Sequence, residues 1–448
     1  VVTLPDRSEG DINLTPRRQA WQDATLDEAT RALLAEDARW FLHQSMSTPC
    51  LDALAGAAGS TLTTVDGRRL LDFHGNSLHQ VGYGHPRVKA AVIDMLDRLP
   101  FSPRRFTNDT AVSLARRLCE SAPGDLDKVL FAPGGTSAIG MALKLARVAT
   151  GRHKTLSMWG SFHGASLDAI SLGGEAAFRR GIGPLLPGAE HVPPCDPGDC
   201  PFGCSGRCAL RCADYVDYVL EKEGDVAAVV VETIRCTDVQ IPPADYYRRL
   251  RAACDRHGTL LILDEIPIAL GRTGHLYAVE RYGIVPDMLV LGKGLGGGLF
   301  PLAALLARAH LDVAGHISLG HYTHEKSPLA CAAALATLDV LDAEELPARS
   351  LRLGEALRIR LEGLRAHCAL IHEVRAAGLL VGIELRRPDG RPAEDEAEMV
   401  LYRCLSAGLS FKIGQGNVLV LAPPLNISDA DLDRAFTILA DALCSPAE

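Results

Sequence analysis

Short apolar runs that stop at a glycine or an acid, spaced by helical stretches, constrain this chain more than any other feature. Lys128–Ala132 is one such run, followed by a glycine-containing turn and then by helical spacing over Ser137–Ala149. Ala227–Glu232 and Leu260–Leu263 are two more, separated by the charged amphipathic stretch Tyr246–His257, and Met288–Leu291 is a fourth. Strands alternating with helices predict parallel βαβ units in an open α/β sheet. Such sheets seat ligands beyond the carboxyl ends of their strands. The chemistry-bearing motifs of this chain fall at those ends or in the loops that follow.

From about Leu346 the pattern changes. Leu351–Ala366 and Asp429–Leu443 read as helices, while Ile371–Arg375, Leu379–Leu385 and Val418–Leu421 read as strands. Leu62–Phe73, with Asp66-Gly67 as a hairpin turn, belongs with this second pattern. The expected division is therefore a large domain over residues 76–345 and a smaller α+β domain over 346–448, which residues 1–75 join.

Composition excludes whole classes of function. The net charge is −9 and no basic run stands out, so no nucleic-acid partner is expected. No stretch reaches the ~20 apolar residues of a membrane span. Val1–Gly10 is polar and lacks a signal-peptide pattern. The 13 cysteines are an odd number and sit mostly singly in apolar segments, as small hydrophobes do in a reducing compartment. A cytoplasmic enzyme is the expectation.

Leu261-Ile-Leu-Asp264-Glu265 ends an apolar strand in two acids, and a buried carboxylate needs a partner. A protonated pyridine nitrogen would supply one; a helix cap after the strand is the plainer alternative. Lys293 stands in Leu291-Gly-Lys-Gly-Leu-Gly-Gly-Gly298. Its glycines let backbone approach a bulky ligand, and a desolvated lysine forms imines. A glycine-rich phosphate loop with an incidental lysine would look similar. Phe131-Ala-Pro-Gly-Gly135-Thr136-Ser137 opens a helix and could hold a phosphate on backbone N–H groups, or could simply cap that helix. Phe162, in Phe162-His-Gly164, offers a ring to stack on a pyridine, or a core aromatic.

The order and spacing of these four motifs resemble the class-III aminotransferases, a branch of the fold-type I pyridoxal 5'-phosphate (PLP) enzymes. The resemblance covers nearly the whole chain and is strongest from Asp264 through Gly274 and on through Pro286-Asp287 to Lys293. It implies a large domain with a mostly parallel seven-stranded sheet and a smaller α+β domain. It implies that Lys293 carries PLP as a Schiff base and shuttles the proton, and that Asp264 faces the pyridine nitrogen. Ile266 and Phe162 would pack on the two ring faces, Gly135 and Thr136 would hold the phosphate, and Glu232 would lie near the substrate. Thr323 matches a threonine that reaches the phosphate of a neighbouring subunit, which implies a homodimer with active sites at its interface.

Three departures from the family pattern narrow the expected activity. Pro267 stands where members often carry a glutamine near the ring hydroxyl. Val420 stands where many transaminases place an arginine for the carboxylate of glutamate or oxoglutarate. A charge-assisted bidentate contact is roughly twice as strong per hydrogen bond as a neutral one, so a dicarboxylate acceptor would bind poorly here. The segments Phe73–Pro86, Pro100–Asn108 and His321–Lys326 are dense in His, Arg and Lys, as a phosphonate or phosphate substrate would require.

Together the departures resemble a lyase subgroup that acts on hydroxylated aminophosphonates. The expected substrate is a small aminophosphonate or amine, with His79, Arg105, Arg235 and Lys326 as candidate contacts. An ω-transaminase using pyruvate or a similar oxo-acid is the first alternative. A catalytically idle PLP-fold protein is the second, and intact Lys293 and Asp264 argue against it. Cys195, Cys200, Cys204, Cys208 and Cys212 cluster in a Pro/Gly-rich insertion and could hold a structural zinc, although their gaps are wider than the usual two residues.

Overall fold

The computed structural model describes residues 15–45, 47–204 and 208–444; the polar Val1–Gly10 stretch lies outside the described residues. The chain divides into two compact units. One takes the described residues up to His85, Thr237–Val239 and those from Leu346 onward; the other comprises Pro86–Cys236 and Gln240–Glu345.

The second unit is built on a seven-stranded sheet in the order Lys128–Ala132, Ala303–Ala307, Met288–Leu291, Leu260–Asp264, Val226–Glu232, Lys154–Met158 and Ala189–Val192. Neighbours from Met288–Leu291 through Ala189–Val192 run parallel, while Ala303–Ala307 is antiparallel to both strands beside it. The central strands are buried along their whole length, so they read as unbroken aliphatic runs rather than alternating ones. Helix Gly135–Thr150 supplies Ile139, Met141, Leu143 and Leu145 to the core over this sheet.

Ala303–Ala307 carries no strand signal: its sequence, AALLA, is made of good helix formers. It is buried on every residue and bonded on both edges, so tertiary pairing overrides local preference. Lys154–Met158 and Ala189–Val192 are equally silent in the sequence, since KTLSM and AEHV lack a β-branched run.

The first unit holds two four-stranded sheets. Thr61–Thr64 and Arg69–Asp72 pair antiparallel across the Asp66-Gly67 turn. Ile371–Ala377 and Leu380–Leu385 form a hairpin around Gly378, and Val418–Leu421 extends that sheet. Helices Leu346–Arg365, Glu394–Ala407 and Asp429–Cys444 belong to the same unit. No helix among the described residues is long and apolar enough to cross a membrane.

Candidate active site

Sheet register sets the site. Glu232 pairs with Asp264, and Asp264 with Val290, so three adjacent parallel strands end level with one another. Lys293 follows Val290 by one short turn. The carboxyl edge of the sheet thus presents an acid, an acid and an amine side by side.

The two acids are buried and already held. Asp264, His163 and Glu232 are 2%, 2% and 7% exposed. One Asp264 oxygen accepts the backbone N–H of Ile266 at 3.0 Å; the other lies 2.8 Å from His163 Nδ1. His163 Nε2 lies 3.3 Å from Ser157 Oγ, which pairs with Ser161 Oγ at 2.9 Å. Burial works against the imidazolium, but the hydrogen bond and charge of Asp264 outweigh it and hold the His163 pKa above its ordinary value. His163 is not among the residues expected from the sequence; its position beside Phe162 was the available signal.

Glu232 ties two loops to the strand edge, accepting from Phe162 N at 2.9 Å and from Cys236 N at 3.3 Å. Burial raises its pKa. Phe162 is half-buried and packs on Phe178 with ring centroids 4.3 Å apart.

The glycines bring the remaining motifs together. A Cβ on Gly135 would sit 2.7 Å from the Ile266 side chain, and one on Gly292 would sit 3.1 Å from it. The helix start, the acid strand and the lysine loop therefore converge on Ile266. Gly164, at φ +129°, lies so close to Thr136 that a Cβ would come within 2.1 Å of its hydroxyl, and Thr136 Oγ1 accepts from Ala165 N at 3.2 Å. The N-cap of helix Gly135–Thr150 is Gly134, which contributes no side-chain hydrogen bond, so the first-turn N–H groups keep their capacity for an anion. Lys293 is exposed and adopts left-handed backbone geometry at φ 45°. Among the described residues its ammonium takes no ion-pair or hydrogen-bond partner. These residues fit PLP: an anion seat at a helix start, a buried carboxylate already oriented by His163, a branched side chain between the two loops, and an uncommitted amine.

Arg235 donates to Trp159 O at 3.3 Å and lines, with Glu232, Ser161, Gln240 and Cys195, a small cavity of about 20 Å³. Arg105, Thr323 and Lys326 are exposed. His79 belongs to the other unit, fully buried there, with Nε2 3.1 Å from the Asp72 carbonyl and its ring 5.2 Å from that of Tyr83. Those contacts give it a task inside its own unit. Val420 is buried in that unit too, paired with Gly382 and Lys412.

The zinc expectation finds no support. No group of three or more His, Cys, Asp or Glu among the described residues is arranged to hold a metal ion. A structural zinc needs four ligands converging on one point. Instead Cys195 faces Cys212 and Cys208, while Cys204 faces Cys200. The tip of this loop, residues 205–207, lies outside the described residues.

A mostly parallel seven-stranded sheet carrying these groups at its carboxyl edge defines a fold-type I PLP enzyme. Residues 44–443 match the family model described as aminotransferase class-III, and the chain belongs to that family of PLP-dependent enzymes. It is 48% identical over 454 residues to the (R)-1-hydroxy-2-aminoethylphosphonate ammonia-lyase of Vibrio splendidus (strain 12B01), covering 98% of this chain and 95% of that one. It is 35% identical over 420 residues to the diaminobutyrate–2-oxoglutarate aminotransferase of Rhizobium meliloti (strain 1021), covering 87% of each. The ornithine aminotransferase of Toxoplasma gondii, solved with partial PLP occupancy, superposes with a TM-score of 0.83 at 27% identity, covering 96% of this chain and 98% of that one.

Proposed function

We propose that this chain is a PLP-dependent ammonia-lyase that converts (R)-1-hydroxy-2-aminoethylphosphonate to phosphonoacetaldehyde and ammonia. The near-full-length 48% identity to the Vibrio lyase carries the reading. Val420, where an acceptor-binding arginine would stand, agrees with a reaction that needs no oxo-acid.

PLP, when bound, supplies an electron-withdrawing ring next to the carbon that bears nitrogen. The chain's own residues do the rest. His163 orients the Asp264 carboxylate at the foot of the site, where a pyridinium nitrogen would need it. Gly135 and Thr136 would seat the cofactor's phosphate, and Ile266 and Phe162 would bound its ring. Lys293 takes the proton from the carbon bearing nitrogen and can return one to the departing hydroxyl. Water leaves, the unsaturated amine takes water back, and ammonia and the aldehyde depart; atoms balance without an acceptor.

We further infer a homodimer whose sites are completed across the interface. Gly320 lies beside Met141, where a Cβ would meet its sulfur at 3.1 Å, and Met141 is about 9 Å of helix from Gly135. Thr323, three residues after Gly320, is exposed, as a residue that serves a partner's phosphate would be. All 13 cysteines are free thiols, which agrees with a cytoplasmic location.

The test is ammonia release by purified enzyme with PLP and the hydroxy-aminophosphonate, no oxo-acid added. Sustained turnover supports the lyase. No ammonia, with cofactor absorbance bleaching until pyruvate is supplied, returns the chain to the ω-transaminases.

A further inference from the structure

Two exposed segments far apart in sequence are pinned together in the larger unit. The Phe101 and His324 rings meet edge to face, centroids 5.4 Å apart, and Asn108 Nδ2 donates to the Lys326 carbonyl at 3.2 Å. Between these points Arg104 faces His321, with Nη1 2.6 Å from Nδ1 and Nη2 2.6 Å from Nε2. The two pinned segments carry Arg104, Arg105, His321, His324 and Lys326, all exposed. Among the described residues none of the five has a carboxylate partner. Nearby Asp109 is taken by Arg98, and Glu325 lines the cavity over Lys128 and Met141 instead.

The Arg104–His321 contact cannot be two hydrogen bonds. A guanidinium has donors only, and a neutral imidazole has a single acceptor nitrogen. At least one of the two short contacts sets N–H against N–H, and protonation of His321 would set both so. An oxyanion entering between the two side chains would accept from both and relieve the opposition. A tetrahedral dianion suits the fork of an arginine especially well, because it takes two parallel hydrogen bonds.

We infer that Arg104 and His321 form a dock for the phosphonate of the substrate, presented by one protomer to the active site of its partner. The identity of the ligand rests on the lyase reading above. The cofactor's phosphate shares the same chemistry, but it already has the uncapped helix start at Gly135. The dock separates binding of the acidic end of the substrate from the chemistry at Lys293.

Holoenzymes carrying Arg104→Ala, Arg104→Lys and His321→Asn are compared with wild type for KM, kcat, inhibition by methylphosphonate and retention of PLP. Arg104→Ala should raise KM about thirtyfold or more and weaken methylphosphonate in parallel, with kcat nearly unchanged. Arg104→Lys, which keeps charge but loses the fork, should fall between, and it carries the test if the alanine variant folds poorly. Unchanged KM and unchanged methylphosphonate inhibition overturn the dock. Loss of PLP with unchanged KM overturns it too, assigning the anion to the cofactor.

Mixed dimers test the presentation in trans. Lys293→Ala chains combined with Arg104→Ala chains should regain wild-type KM at one site per heterodimer; no recovery overturns the trans assignment. If wild type releases no ammonia without an acceptor, the lyase reading fails. Direct titration of wild type and Arg104→Ala with methylphosphonate then still decides the dock.

Discussion

The carboxylates at the strand ends and the cations of the Arg104–His321 junction are both charged, and the fold treats them oppositely. Asp264 and Glu232 are buried, and each of their oxygens already has a protein donor within 3.3 Å. Arg104, His321 and Lys326 are exposed and lack an acid among the described residues. A group satisfied in advance costs no reorganisation when a ligand arrives, which suits chemistry common to a family. A group left without a counter-charge waits for the ligand to supply it, which suits recognition of one substrate. On the proposed reading, the buried floor serves the chemistry and the exposed junction serves the choice of substrate.

The largest effect is expected at Lys293. Replacing it with alanine should cut ammonia release roughly ten-thousandfold and abolish the near-visible absorbance of bound cofactor, with little change in the melting temperature of the apoenzyme, because the side chain is exposed and takes no partner among the described residues. Turnover that persisted would displace the chemistry from the floor altogether. Asp264→Asn comes next. It keeps the shape but removes the charge that His163 orients, so kcat should drop about a hundredfold while methylphosphonate still binds. A parallel loss of methylphosphonate affinity would show that floor and junction are not independent.

The floor was far more legible in the sequence than the junction, and the reason is physical. An acid closing an aliphatic strand and a lysine wrapped in glycine each violate local expectation, so Asp264 and Lys293 stand out. His163 did not, since a histidine beside a phenylalanine conflicts with no rule until the fold sets it against Asp264. Arg104 and His321 are ordinary surface residues whose meaning appears only when segments 217 residues apart are pinned together. His79, suggestive by its basic surroundings, proved to be buried against Asp72. The strand Ala303–Ala307 was hidden because alanine and leucine take whichever pairing the sheet imposes.

A smaller effect, on stability rather than turnover, is expected at Glu265. It sits next to Asp264 but makes its contacts inside the fold, accepting from Thr233 Oγ1 at 2.9 Å, Val279 N at 2.7 Å and Ala278 N at 2.6 Å. Both carboxylate oxygens are used as acceptors, so Glu265→Gln must set an amide N–H against a backbone N–H. The cost should be about 1–3 kcal/mol, read as a lowered melting temperature with kcat per folded enzyme nearly preserved. A kcat loss as large as that of Asp264→Asn would mean that the floor extends one residue further than the geometry indicates.

The smallest effect is the pH dependence of the His163–Asp264 pair. The folded state raises the His163 pKa, because the hydrogen bond and charge of Asp264 overcome the opposing burial. The folded protein therefore holds that proton more tightly than the unfolded chain does. The stabilisation is fully present below the ordinary imidazole pKa and is lost as pH rises through the raised folded value. Melting temperatures of wild type and His163→Gln, measured across that range, should differ most at the acidic end and converge as pH rises. A gap independent of pH would mean that the imidazole keeps one protonation state throughout. His163 would then orient Asp264 by hydrogen bonding alone, and the floor would owe its readiness to geometry rather than to an ion pair.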